Sequence, residues 1–213
     1  FALLTGRLAL SEVTLVDPRI ALEIDSQGKA NWDFAPAAPA AGAPAASSPP
    51  PAIGRIVLVN GTVSFADARA GSQTTVEKID ATASVGSPEG PFAIAGSATV
   101  NKEALKIDAS VGAKSAKGHD VRVALQAGGG KLSFDGTLSA LGPDGRLAGK
   151  ASSSADNLVG FVETLAQAAG QPEPALPPLL AGKFAFAGDL DLSATALAAK
   201  DFTLTLGEDK TTG

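Results

Sequence analysis

From Arg19 to Asp25 the chain alternates strictly, with Ile20, Leu22 and Ile24 pointing one way and Arg19, Ala21, Glu23 and Asp25 the other. Period two over that length predicts a strand with one apolar face. Upstream, Leu8 and Leu10 fall on even positions but Val13 and Leu15 on odd ones. The alternation therefore slips near Ser11-Glu12, as a bulge or a break between strands would produce. Asp17-Pro18 separates these strands from the next, because proline lacks the amide that a central ladder requires. Further on, Asn60-Gly61 offers two residues that tolerate the positive φ of a type I′ turn. A hairpin closed there pairs Val59 with Thr62 and Leu58 with Val63. It gathers Ile56, Leu58, Val63 and Phe65 on one face.

The rhythm recurs. Phe92 and Ile94 alternate with alanines, Leu105, Ile107, Ala109 and Val111 with Lys106, Asp108 and Ser110, and Val121, Val123 and Leu125 with Arg122, Ala124 and Gln126. After a Gly128-Gly129-Gly130 turn, Leu132, Phe134, Gly136 and Leu138 keep register, so the strand runs through Asp135-Gly136. Gly142-Pro143-Asp144-Gly145 is the next turn. Later strands are expected around Phe184-Phe186, Leu190-Leu192 and Phe202-Leu206. Strands at roughly ten-residue spacing predict a meandering antiparallel sheet.

One helix is expected near 156–169, where Leu158, Phe161, Val162, Leu165 and Ala169 follow helical spacing. Asp156 is the candidate N-cap, and Gly170 with Pro172 supplies the stop. Its single apolar stripe suits a helix lying against the sheet, with a mobile gate over a groove as the alternative. Residues Ala35 to Ala52 consist only of Ala, Pro, Gly and Ser, and read as a flexible, disordered loop. The division is thus 1–34 for a first β unit, 35–52 for the loop, and 53–213 for the continuing sheet and helix.

Composition narrows the classes of function. Gly (24) and Pro (14) suit short strands joined by turns, and a net charge of −5 without a basic cluster argues against nucleic acid. With no Cys there is neither a disulfide framework nor a thiolate metal site. No apolar run is long enough for a membrane-spanning helix. The apolar opening Phe1-Ala2-Leu3-Leu4 and the absence of Met suggest a piece of a longer protein, any membrane anchor lying upstream.

Catalytic chemistry finds little support. His119, the only histidine, lies in Lys-Gly-His-Asp and reads as an exposed loop residue. Asp189 and Asp191 alternate with Leu190 and Leu192, as on the wet face of a strand, whereas calcium loops cluster oxygen ligands around a turn. No carboxylate pair stands out for glycoside hydrolysis. Gly128 to Gly130 lacks the Lys-Ser/Thr of a phosphate loop. Trp32 reads as an anchor at the end of the first sheet unit. The reading is a non-enzyme with no metal and no cofactor.

Two stretches carry a family resemblance. Gly6 to Phe34 (GRLALSEVTLVDPRIALEIDSQGKANWDF) joins alternating strands, Asp17-Pro18, Gly28 and Asn31-Trp32, and RIVLVNGTVSFAD follows the loop. Together they resemble the AsmA family of bacterial envelope proteins. The likeness is looser through Leu138, and the Asn157-to-Leu165 helix with Leu180-Ala181-Gly182-Lys183-Phe184 fits the family's later segment. The resemblance implies an elongated, curled β-sheet, a periplasmic body on an inner-membrane anchor, and a role in outer-membrane biogenesis and phospholipid homeostasis. Relatives of that family include bridge-like lipid-transfer proteins. On this reading Ile20, Leu22, Ile24, Ile56, Leu58, Val63, Phe65, Ile107, Val123, Leu125, Leu132 and Phe134 face a groove for phospholipid acyl chains. The bland reading puts the same residues in a closed sandwich core. A scaffold for outer-membrane proteins, using sheet edges to pair with incoming strands, is the alternative function.

Overall fold

A computed structural model describes residues 9–33, 52–87, 89–142, 144–171, 174–177 and 180–213. The residues assigned to the Pro/Ala loop lie outside these, except Ala52, which begins a strand. The strands are β1 (Ala9–Val16), β2 (Arg19–Ile24), β3 (Ala52–Asp67), β4 (Ser72–Val85), β5 (Phe92–Val100) and β6 (Glu103–Val111). There follow β7 (His119–Ala127), β8 (Gly130–Leu138), β9 (Leu147–Ala155), helix α1 (Leu158–Ala168), β10 (Phe184–Leu192), β11 (Leu197–Leu206) and β12 (Asp209–Thr212). All twelve strands form one open, curled sheet, in chain order from β3 onward.

The sheet is mixed. From β3 to β12 every neighbour is antiparallel, as the meander predicts, but β1 and β2 both pair parallel to β3. They lie end to end along it in one unbroken register, from Ala9 opposite Ala52 to Ile24 opposite Asp67. The slip expected at Ser11-Glu12 is therefore absent. Ser11 instead passes close to Gly54, where an added Cβ would stand 3.1 Å from the Ser11 carbonyl oxygen.

Asn60-Gly61 does not close a hairpin either. β3 runs straight through it, and Leu58 pairs with Ala81, Gly61 with Ile79 and Val63 with Val76. The left-handed conformation of Asn60 (φ 51) inserts one extra residue into the strand. Its neighbours do the same on the same line: Asp17 (φ 49) lies at the register position of Asn60, and Lys78 (φ 51) bulges in β4. Asn60 donates from Nδ2 to Asp17 Oδ1 at 2.6 Å, and its backbone N–H donates to Asp80 Oδ1 at 3.0 Å. The ladder is held across the kink by Asp17 N–H to the Val59 carbonyl (2.9 Å) and Thr62 N–H to the Pro18 carbonyl (2.8 Å). Each extra residue reverses the alternation. In β3 the even positions Ile56 and Leu58 before the kink and the odd positions Val63 and Phe65 after it therefore stay on one face. Across Asp17 the odd positions Val13 and Leu15 and the even positions Ile20 and Leu22 do the same. Tight two-residue turns are found elsewhere, at Asn101-Lys102 (φ 48 and 72) between β5 and β6 and at Gly128-Gly129 (φ 50 and 72) between β7 and β8.

α1 lies on the apolar face at one end of the sheet. Its cap is Asn157, one residue beyond the expected Asp156, whose side chain accepts from Gly160 N–H at 3.1 Å. That spacing places the cap oxygen three residues before the amide it satisfies. Phe161 (3% exposed) sits directly on Gly130, where an added Cβ would fall 2.4 Å from its ring. At the other end of α1, Gly170 lies against the Phe65 ring. Five strand spacings separate β8 from β3, about 24 Å along the sheet. The nine-residue step from Phe161 to Gly170, helical as far as Ala168, rises only about 14 Å. The helix bridges that gap with one aromatic ring's help, because the sheet curls toward it.

Candidate functional site

Directly paired residues project to the same side of a sheet, so register assigns the faces. One row reads Ile56, Ala83, Ile94, Ala109, Val123, Phe134 and Ala151 from β3 to β9. The next reads Leu58, Ala81, Gly96, Ile107, Leu125, Leu132, Ser153 and Phe186, ending at Leu204. Beyond the kink, Ile20 pairs with Val63 and Leu22 with Phe65, and Val63 pairs with Val76, which pairs with Val100. Every one of the twelve residues singled out from the sequence thus shares one face. Adjacent rows on the opposite face run Arg55, Ser84, Ala93, Ser110, Arg122, Asp135, Lys150 and Asp189, and Ala124, Ser133, Ser152 and Ala187.

The polar face is laced by ion pairs. Arg122 Nε donates to Asp135 Oδ2 at 2.9 Å, Lys150 Nζ to Asp189 Oδ1 at 3.0 Å, and Arg146 grips Asp191 with two bonds. Charged side chains line its broad depression of about 750 Å³. Asp189 and Asp191 are therefore partners of strand β9, as the wet-face reading has it.

The apolar face has two parts. Under α1, Ala127 (3% exposed), Ala155 (6%) and Phe161 form a dry cluster against which Leu105, Leu125, Leu132, Leu158 and Leu165 pack. Beside the helix C-terminus, Leu22, Val63, Phe65 and Val76 line a small hollow of about 160 Å³. Away from the helix no second layer covers the sheet among the described residues. Ile94 is 41% exposed and Leu15 40%. Ile56, Leu58, Ile107 and Val123 are half-buried, shielded only by their neighbours on the same sheet. Phe134 is 8% exposed because its ring folds over Gly136, against its own sheet. Ile20 is 39% exposed and Ile24 half-buried. The face is also wider than the sequence reading had it. Phe186 and Phe202 stack at 6.2 Å, and Leu204 extends the same surface onto β11. Their alternation was visible in the chain. The bulge at Asp201 (φ 46), which brings Phe202 into line, was not.

Two side chains differ from or refine the expectation. His119 is no loop residue: it opens β7 opposite Leu138, is 2% exposed, and donates from Nδ1 to the Gly112 carbonyl at 2.9 Å. The turn ends at Gly118, so His119 falls in phase with Val121 on the apolar face. Asn31 blocks the outer edge of β2, its Nδ2 donating to the Ala21 carbonyl (3.0 Å) and its Oδ1 accepting from Glu23 N–H (3.1 Å). Trp32, 42% exposed, rests 6.2 Å from Phe65. Comparison of the chain with protein-family models, curated proteins and solved structures finds no match.

Proposed function

We propose that the protein is the periplasmic part of an inner-membrane-anchored, AsmA-like protein that holds phospholipid acyl chains on its apolar sheet face. It supports lipid transport and outer-membrane biogenesis and catalyses no reaction. The observation that carries this reading is a continuous apolar face that has no covering layer away from the strand ends that α1 crosses, among the described residues. Only six hydrophobic residues are buried among the described residues, and half of these lie in the cluster under α1. A sandwich core would hide the central rows between two sheets. Exposing an acyl chain to water costs about 0.8 kcal/mol per methylene, on the order of 12 kcal/mol for sixteen carbons. A strip of Leu, Ile, Val and Phe offsets much of that. Because the strip is uniform, it fixes no single position along the chain.

Phospholipid recovered with the purified protein by mass spectrometry, and several-fold weaker binding of a fluorescent acyl probe by Ile94→Asp, are the expected results. Protein free of lipid that also fails to bind the probe would refute the reading. One observation favours the scaffold alternative. β12 covers only Thr203–Leu206 of β11, which leaves Leu197–Asp201 without a neighbour on that side among the described residues. Crosslinking of outer-membrane strand peptides at Leu197–Asp201, in protein that holds no lipid, is the outcome that separates the two.

A further inference from the structure

A hollow of about 160 Å³, free of charged side chains, lies where the end of α1 meets β2, β3 and β4. Leu22, Val63, Phe65 and Val76 form its floor, residues 168–170 its wall, and Thr74 supplies the single hydroxyl. Register puts all of these strand residues on the apolar side, since Leu22 pairs with Phe65, Phe65 with Thr74 and Val63 with Val76. The four broader depressions, of about 520 to 760 Å³, are each lined by several charged side chains. An ionic group entering the small hollow would lose its water and gain no partner, so its lining suits an apolar guest.

The wall is held in place. Gly170 N–H donates to the Gln167 carbonyl at 3.0 Å and Gln171 N–H to the Ala166 carbonyl at 2.8 Å, which closes the helix with satisfied carbonyls. Gly170 has φ 66, and a Cβ there would stand 3.0 Å from the Phe65 ring. Glycine is therefore needed both to end the helix and to let the ring approach. Asn101 Nδ2 donates to Gln167 Oε1 at 2.6 Å and ties the same end of α1 to the β5–β6 turn. So braced, the helix end does not settle into the gap, and Thr74, Ala168 and Ala169 are too short to fill it. Apolar cavities of about 150 Å³ stay dry and take up a guest of benzene size. The last few carbons of an alkyl chain have that bulk, whereas a whole lipid does not fit.

Ala169 is the exposed residue of the lining. From Leu22 the apolar face runs on over Ile20 (39% exposed) and Leu15 (40%). We infer that the hollow seats the terminal methyl end of an acyl chain, while the chain behind it lies over Ile20 and Leu15. The inference rests on the lipid-binding reading and adds one fixed point to it. The chain end is held, its polar end is kept away from α1, and chains that end in a bulky or polar group are excluded.

Trp32, the only tryptophan of the chain, rests 6.2 Å from Phe65 and reports on the hollow. Bromine quenches tryptophan fluorescence only at short range. The full chain is titrated with hexadecanoic acid brominated either at its terminal carbon or beside its carboxyl, below the aggregation concentration of each. Binding is measured separately by equilibrium dialysis. At equal occupancy the terminal bromine is expected to quench Trp32 several-fold more than the carboxyl-proximal one. Equal or reversed quenching, or none from either bound acid, overturns the seat and leaves acyl binding standing. Binding of neither acid overturns both readings. In a second arm, Ala169→Leu fills the hollow from its exposed rim and is expected to abolish the difference between the two acids. A difference that persists in that variant overturns the seat.

Discussion

The covered and open ends of the apolar face are built from the same residue types and behave differently. Under α1, Phe161, Ala127 and Ala155 are 3–6% exposed. Four and six residues further along the strands by register, Ile94 is 41% exposed and Val85 47%. The covered end is a core and holds the helix on the sheet. Ile94 and Val85 contribute little to folding and remain available as a surface, whereas Val121 (7% exposed) and His119 (2%) on β7 are buried without the helix. Burial, not hydrophobicity, separates a stabilising residue from a binding one.

The largest contrast comes from truncating one residue at each end. Phe161→Ala should cost about 3–5 kcal/mol in urea unfolding, because the ring fills the contact on Gly130 and leaves a cavity. Adding a methyl at Gly130 tests the same contact from below. Gly130→Ala forces a Cβ into the Phe161 ring and should cost about 1–3 kcal/mol, unless the helix shifts. Loosening the helix without touching the sheet is milder, since Asn157→Ala removes the cap bond to Gly160 and should cost about 1 kcal/mol. At the open end, Ile94→Ala should change unfolding by less than about 1 kcal/mol. It should still weaken acyl binding several-fold. Should Ile94→Ala prove as destabilising as Phe161→Ala, the two ends would not differ as described.

The smallest effect is electrostatic and has a definite sign. At the covered end of β3, the side-chain bonds from Arg69 hold the Asp67 carboxyl down to about 2. At the open end, the Arg146 guanidinium lowers Asp191 below the ordinary carboxylate range. A carboxyl whose pKa falls on folding stabilises the protein above its unfolded value, near 4, and loses that contribution as pH drops through the folded value. The stability difference between the native protein and Asp67→Asn should be constant above about pH 5 and shrink progressively as the pH falls through about 2. A gap that widens on acidification would reverse the assignment.

Much of this was legible in the chain. Period-two alternation located the strands from β5 to β8 and assigned their faces, because alternation maps directly onto a pleated ladder. The kink was not legible. Asn60-Gly61 supplies the same left-handed backbone to a hairpin and to a bulge, and both place Ile56, Leu58, Val63 and Phe65 together. Only the partners decide: Asp17 and Lys78 adopt the same conformation alongside, and the strand runs on. The parallel pairing of β1 and β2 was likewise hidden, since alternation carries no information about direction. His119 was misplaced because its sequence neighbours are turn residues, while its strand register puts it on the apolar side. Ile94 and Phe186 were passed over as groove residues although they alternate cleanly. The face could be read from the sequence, but how far α1 covers it could not.

Ile94 and Val59 offer the most direct measurement, because they are equally bare, 41% and 39% exposed, and lie on opposite faces. With methyl-labelled protein and a phospholipid carrying a spin label on its acyl chain, the Ile94 methyl signal should broaden strongly and the Val59 methyls should stay sharp. Equal broadening of both, or of neither, would contradict an apolar face that selectively holds acyl chains.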